Sequence, residues 1–356
     1  MKLAYTDEQE QLREALAEML EADVADALPL LTEMGVLGLP IHEDLDGAGA
    51  GLTELGIVVA ELARGLSPSA FVPSSVVATL VLAECSAGEA QLRAVASGER
   101  TATVPWSIVD PDAAPPAAGE GPVTFANVPF AATSDLLLAV VRDGDREPHL
   151  VSIDLHAPEV SIEAVEAFDP TEPLFSVTVD PIRADVLTSD AAAAVGHALP
   201  RIAAVVAAEL VACGQGVLGT AVDYATVRTQ FGRPIGSFQA IKHMLADAHV
   251  ALDGAGALAH LACTTLDEGG TDGAALAGFA LAAAMGAATS ATATSLQTFG
   301  GIGYTWEQGT HTYLRRVTAR AAQFGTVDRQ IARIARTLTQ QLTAGGAPAD
   351  PGVGPR

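Results

Sequence analysis

The chain has 356 residues, of which 49% are hydrophobic, 4% aromatic and 17% charged. That composition supports a sizeable core and excludes an intrinsically disordered chain, which combines low hydrophobicity with high charge. A net charge of -24, from 43 acidic against 19 basic residues, argues against nucleic acid and anionic membrane as partners, because phosphate binding needs a surplus of Lys and Arg.

The length suggests two or three domains. Residues 1–100 read as an N-terminal helical domain. Thr6 caps the first helix with Gln9 at the capping-box position, and Leu12, Leu16, Met19 and Leu20 recur on one face. A second helical run precedes Gly35, and Gly47–Gly51 forms a flexible turn. Thr53–Arg64 is a further helix stopped by Gly65 and Pro68, and Val76–Ala83 is an apolar run.

From 101 to 188 the texture changes to a middle β domain. Asp135–Val141, His149–Leu155 and Phe175–Val179 have the β-branched or alternating character of strands, and Pro111–Pro122 is a Pro/Ala/Gly loop. Residues 189–343 are a C-terminal helical bundle, with runs at Ala191–Val227, Ser237–Asp267, Asp272–Phe299 and Ala321–Leu342. A Gly/Pro/Ala-rich tail, 344–356, is expected to fray.

Cys85, Cys213 and Cys263 are widely separated, odd in number and without metal-ligand spacing, so they read as buried apolar side chains. The alanine-rich stretch Ala274–Ala293 comes closest to a membrane span, but its small residues suit helix packing better. With no apolar leader after Met1, the chain reads as a soluble cytoplasmic protein.

Eleven of the 19 basic residues follow residue 200, so the second half has the means to hold an anion within an acidic protein. Two segments there carry chemistry. In Tyr224–His243 a helix ends at an arginine-bearing turn containing Arg228, Phe231, Gly232 and Pro234, and a new helix opens near Ser237. Helix ends beside Gly and Pro expose backbone N–H groups, an arginine adds charge-assisted bonds to phosphate, and Phe231 offers a flat face to an aromatic ligand. In Gln297–Glu307, Gly300, Gly301 and Gly303 allow close backbone approach, and Gln297 can hydrogen-bond a sugar or diphosphate. Either segment alone is equally well an ordinary interhelical turn.

Together, and in this domain order, the segments resemble the acyl-CoA dehydrogenase family over nearly the whole chain. The Thr-Asp-Glu-Gln start and the Leu245–Asp247 run add to the likeness. The resemblance implies a mainly α fold with a helical domain, a small β-barrel-like domain and a four-helix bundle. It also implies dimers or dimers of dimers, with FAD lying across a subunit interface. Carried over, Arg228 binds the FAD diphosphate, with Phe231, Gln239, Gln297, Gly300 and Gly301 around it, and Thr326 supports the nucleotide. Asp328 stands where the family usually has Gln, which puts that contact in doubt. No metal is implied.

The likeness breaks at the chemistry. The family's base is usually a Glu before Gly-Thr, about two dozen residues beyond the Gly-Gly pair, removing the α-proton of an acyl thioester while hydride leaves for the flavin. Here the sequence reads Gln323-Phe324-Gly325-Thr326, and Phe324 cannot accept a proton. The alternative family position on the first bundle helix falls near Ile202 or Ala203. Glu209, two turns on, is either a displaced base or, more in keeping with its apolar helix, a paired structural carboxylate. The flavin-covering loop of the middle domain is replaced by Val104–Asp112, without its glycines or Thr-Glu pair. Trp106 there is either a flavin-stacking or a core residue. His311, Arg315 and Arg316 read as an interface or salt-bridge helix.

The expectation is therefore a base-lacking subunit of an α2β2 acyl-CoA dehydrogenase. It donates the ADP-side arm to a FAD shared with a longer acyl-CoA dehydrogenase paralogue, acts on an acyl-CoA, and has an electron-transfer flavoprotein as a candidate acceptor. The alternatives are a self-sufficient homo-oligomer using Glu209 and a non-enzymatic scaffold.

Overall fold

The computed structural model describes residues 4–20, 25–110, 112–118, 121–143, 147–180, 184–305 and 308–344. Pro111, Trp306, Glu307 and the tail beyond 344 lie outside them.

The N-terminal part contains α1 (Asp7–Met19), α2 (Leu28–Glu33), α3 (Leu52–Arg64), α4 (Thr79–Leu82) and α5 (Glu89–Ala96). The Thr6/Gln9 capping box forms as read: the Gln9 N–H donates to Thr6 Oγ1 at 3.2 Å, and the Thr6 N–H donates to Gln9 Oε1 at 2.9 Å. The apolar run at Val76–Ala83 is two pieces. A buried π-helical stretch, Val72–Ala78, leads into α4.

The middle part has strands β1 (Ala102–Thr103), β2 (Ala117–Ala118), β3 (Val123–Pro129), β4 (Leu136–Asp143), β5 (His149–Asp154), β6 (Val160–Val165), β7 (Leu174–Val179) and β8 (Asp185–Thr188). One sheet runs β1-β4-β5-β8 with β2 beside β4, and a second runs β3-β7-β6. Inward residues of both sheets, including Phe125, Leu137, Ile153 and Val177, share one core, which makes the unit barrel-like. Of the three strands foreseen, each is found within a residue or two. β1, β2, β3, β6 and β8 were not foreseen, and β2 falls within the stretch Pro111–Pro122 read as a loop.

The bundle consists of α6 (Ala191–Val227), α7 (Gln239–Asp267), α8 (Gly273–Phe299), α9 (Thr310–Phe324) and α10 (Val327–Ala344). A single final helix over Ala321–Leu342 is not what forms. Gly325, at φ +88°, ends α9, and Thr326 Oγ1 accepts from the Arg329 N–H at 3.2 Å to start α10. Small residues let the long helices approach closely. A Cβ on Gly214 would lie 2.5 Å from the Leu252 side chain and 3.3 Å from the Ala288 backbone.

By length and composition, α6 and Gly273–Tyr304 are apolar enough to cross a membrane, so Ala274–Ala293 is not alone in this. Their most apolar windows are 78% and 50% buried within the fold, as core helices are. The main hydrophobic core joins the N-terminal helices to the bundle. Two polar ties reinforce that seam. Asp267, at the end of α7, accepts from the Leu52 N–H at 2.9 Å and so caps α3, and the Tyr313 hydroxyl donates to the Arg64 carbonyl at 2.7 Å. All three cysteines are free and buried.

Candidate functional site

The arm segment is built at one end of the bundle. Arg228 is the C-cap of α6, its N–H donating to the Tyr224 carbonyl at 2.9 Å. Two short strands follow, β9 (Thr229–Gln230) and β10 (Arg233–Pro234), paired antiparallel. Their two-residue connection has Phe231 at φ 54° and Gly232 at φ 79°, the double positive φ of a tight hairpin turn. A left-handed conformation suits Gly232 but costs a bulky side chain of the order of 1–2 kcal/mol. Phe231 is nevertheless held there with 92% of its surface exposed. Arg233 lies 4.1 Å above the Phe238 ring, and Phe231 meets that ring edge-on at 6.2 Å.

Gln239 opens α7, which has no side-chain cap, so its first-turn N–H groups face out without intrahelical partners. Gln297 is exposed in the last turn of α8, and Gly300 leaves that helix at φ +63°. Nothing lies within 4 Å of a Cβ built on Gly300 or Gly301. Tyr224 and Phe299 stack at 4.5 Å and hold the ends of α6 and α8 together. The fold thus gathers Arg228, Phe231, Gln239, Gln297, Gly300 and Gly301 at one end of the bundle. The combination of a cation, free N–H donors, an aromatic face and open glycine backbone fits the ADP end of a dinucleotide. Thr326 follows α9, whose 15 residues span about 22 Å at 1.5 Å each.

A different constellation fills the junction between the β domain and the bundle. Arg316 and Arg320 are four residues apart on α9 and both are buried. Arg316 Nε donates to Asp169 Oδ2, its Nη2 to Thr171 Oγ1 at 2.5 Å, and its Nη1 lies 3.4 Å from Glu209 Oε1. Arg320 Nε lies 2.8 Å from Glu209 Oε2, its Nη2 donates to Glu172 Oε2 at 2.7 Å, and its Nη1 donates to Gln323 Oε1 at 2.8 Å. Glu209 is 1% exposed and Arg320 also 1%. Burial alone would raise the Asp169 pKa, but the Arg316 guanidinium and the Thr171 hydrogen bonds outweigh it and hold the carboxyl below its ordinary range. Burial works against the charged form of Arg316 as well, and Asp169, Glu172 and Glu209 together raise its pKa above the ordinary arginine value.

Trp106 belongs to this cluster. It is 4% exposed, its Nε1 donates to Glu172 Oε1 at 2.9 Å, and Arg320 lies 4.5 Å over its ring. Its indole is committed to the interior on both counts. Phe324, one turn beyond Arg320, is 1% exposed. Glu209 has both oxygens against arginines, the geometry of a structural carboxylate. Arg316 sits in ion pairs, while Arg315 lies 5.7 Å over the Phe168 ring.

Beside the cluster is a cleft of about 450 Å³ lined by Trp106, Asp110, Glu166, Phe168, Asp169 and Glu172 among others, with no Lys or Arg in its lining among the described residues. Three of its carboxylates are already engaged, Asp169 and Glu172 by the buried arginines and Asp110 by Arg333 at 3.5 Å, so the lining holds no cation of its own for a phosphate. The donors at the arm match the ADP end of FAD, whereas in the cleft the Trp106 ring is taken up by Arg320 and its N–H by Glu172. The ion-paired cluster was not foreseen as a unit. The i, i+4 spacing of Arg316 and Arg320 puts the two on one helix face but does not show which carboxylates they meet.

Family models described as "Acyl-CoA dehydrogenase, N-terminal domain" and "Acyl-CoA dehydrogenase, C-terminal domain" match residues 6–99 and 193–339. The chain is 34% identical over 313 residues to acyl-CoA dehydrogenase FadE34 of Mycobacterium tuberculosis. That match takes in 87% of this chain and 41% of that protein, so the chain spans less than half of that relative's length. To acyl-CoA dehydrogenase IpdE2 of the same organism it is 32% identical over 295 residues, 82% of this chain and 80% of that protein. Among solved structures, a variant of the Tcur3481-Tcur3483 steroid ACAD superposes with a TM-score of 0.81 at 26% identity, over 95% of this chain and 99% of that one. The ChsE4-ChsE5 complex of Mycobacterium tuberculosis shares the fold, with a TM-score of 0.80 at 22% identity over 98% of this chain and 100% of that one. With both terminal domains matched and a relative covered over four fifths of its length, the chain belongs to the acyl-CoA dehydrogenase family.

Proposed function

We propose that this chain is the base-lacking subunit of a heteromeric, FAD-dependent acyl-CoA dehydrogenase. It lends Arg228, Phe231, Gln239, Gln297, Gly300 and Gly301 to the ADP end of a FAD whose ring lies in a longer paralogue. That paralogue supplies the carboxylate that removes the α-proton of the acyl-CoA, and FAD when bound accepts the hydride from the β-carbon. This chain's own part is to hold the diphosphate by charge-assisted and backbone donors and to stack Phe231 against the adenine end. Thr326 stays a candidate second nucleotide contact at the far end of α9, and an electron-transfer flavoprotein is the candidate acceptor.

One contrast carries this reading: an outward-facing nucleotide arm with an aromatic held in a left-handed turn, against a buried Phe324 where the family's base belongs. The character of the relatives supports it. The match to FadE34 leaves more than half of that protein outside, enough for a second subunit-sized unit in the same chain. Two of the similar structures are described by paired protein names. Glu209 is disfavoured as a substitute base by its two arginine partners.

The test is co-purification. Expressed alone, the chain is expected to be colourless and inactive; coexpressed with the longer paralogue, it gives a yellow, active complex from which Arg228→Ala strips FAD. Homo-oligomers of this chain loaded stoichiometrically with FAD and dehydrogenating acyl-CoA would refute it.

A further inference from the structure

We propose that the flavin-ring half of the fold has become, in this chain, a closed ion-pair lock joining the β domain to the bundle without any flavin. The inference deepens the functional reading above and rests on it. The lock takes its parts from three segments far apart in the chain. Arg316 and Arg320 come from α9, Asp169 and Glu172 from the loop between β6 and β7, and Glu209 from α6. Trp106 closes it from the β-domain side.

Three features make it a replacement for a ring site rather than an addition beside one. The indole that would otherwise offer a stacking face is covered by Arg320, and its N–H is taken by Glu172. The cleft alongside has no Lys or Arg in its lining among the described residues to meet the phosphates that a flavin dinucleotide or a CoA would bring. Admitting a ring would separate buried charges from their partners, and such separation is strongly unfavourable. The loss of the base at Phe324 is therefore not a single-residue defect. Putting a carboxylate back at that position leaves Arg320, Glu209 and Trp106 where they are, so no ring site opens beside it.

The experiment uses the full chain with FAD as the probe. Wild type and Phe324→Glu are titrated with FAD, reading the thermal midpoint and the access of iodide to the flavin ring. Hydrogen exchange at 166–172 is read in Glu209→Gln, Arg320→Met and Arg320→Lys. In both wild type and Phe324→Glu the ring stays open to iodide, whatever midpoint shift the arm's hold on the ADP end produces. Arg320→Met speeds exchange at 166–172 at least tenfold, Glu209→Gln less, and Arg320→Lys recovers part of the protection, all without FAD. A shielded ring with an FAD-raised midpoint in either protein would overturn the lock, as would unchanged exchange in Arg320→Met. If Phe324→Glu does not fold, the wild-type titration and the exchange series still decide. Failure here, with FAD still stripped from the complex by Arg228→Ala, would sink the lock and spare the arm; retention of FAD by Arg228→Ala would do the reverse.

Discussion

The buried cluster holds two cations and three carboxylates, and this imbalance predicts an unusual order of damage. Glu209→Gln removes one negative charge. Arg316 keeps Asp169 and Arg320 keeps Glu172, so every remaining charge still has a partner. The loss is the ion pairing of one side chain in a network that stays balanced, about 1.5–3 kcal/mol by the usual worth of a hydrogen bond to a charged group. Arg320→Met is different. Glu172 loses its guanidinium, and Glu209 keeps only the 3.4 Å contact to Arg316. Leaving a buried charge uncompensated costs about 3–5 kcal/mol. At ~2 cal/mol/K per residue, the unfolding entropy of 356 residues is roughly 0.75 kcal/mol/K, so the two variants should lower the thermal midpoint by about 3 °C and about 5 °C if unfolding is one transition. The assay is calorimetry on the purified chain together with turnover of the assembled complex, where Glu209→Gln should retain activity. A loss of turnover in Glu209→Gln without loss of FAD would refute the structural role of this residue. A midpoint fall larger than that of Arg320→Met would refute the charge argument.

The other predictions concern the arm, the lock and the helix packing. In the complex, Arg228→Ala should weaken FAD binding by roughly 10- to 150-fold, from about 1.5–3 kcal/mol for a charge-assisted partner, measured by FAD retention on gel filtration. Phe231→Gly relieves a left-handed aromatic, so it should leave the isolated chain as stable or up to about 1 kcal/mol more stable while lowering FAD retention in the complex. Asp169 titrates below its ordinary 3.8, so its contribution is complete above that value and is lost as pH falls through the depressed value. The urea midpoint should therefore drop on acidification below about pH 4, with a smaller drop in Asp169→Asn. Gly214→Leu should destabilise the bundle by about 3 kcal/mol or more, since even a Cβ there meets Leu252 at 2.5 Å.

The long helices were legible because alanine-rich runs with caps and glycine stops leave few other structures open to them. The Thr6/Gln9 box and the stop at Gly65 formed as read. The break at Gly325 was not legible, because helical periodicity continues on both sides of it and only the φ of +88° shows the turn. β6 escaped notice because most of its side chains are exposed, so it lacks the alternation that marks a half-buried strand. The arm could be read locally, since its Arg, Phe, Gly and Pro lie within a few residues of one another. The lock could not. Residues 106, 169, 172, 209, 316 and 320 are brought together only by docking of the β domain on the bundle, and no local pattern joins a Trp in one segment to an Arg over two hundred residues away. Glu209 shows the difference most sharply: the sequence leaves it open between base and structural carboxylate, and its arginine neighbours favour the second.

The flavin content of this full chain, purified alone and then with its longer paralogue, bears most directly on the division of labour proposed here. Alone, the protein should carry no flavin absorption and should not oxidise acyl-CoA, whereas the co-purified complex should be yellow and bleach on adding the thioester. One FAD per chain in the isolated protein, reduced by an acyl-CoA, would contradict it.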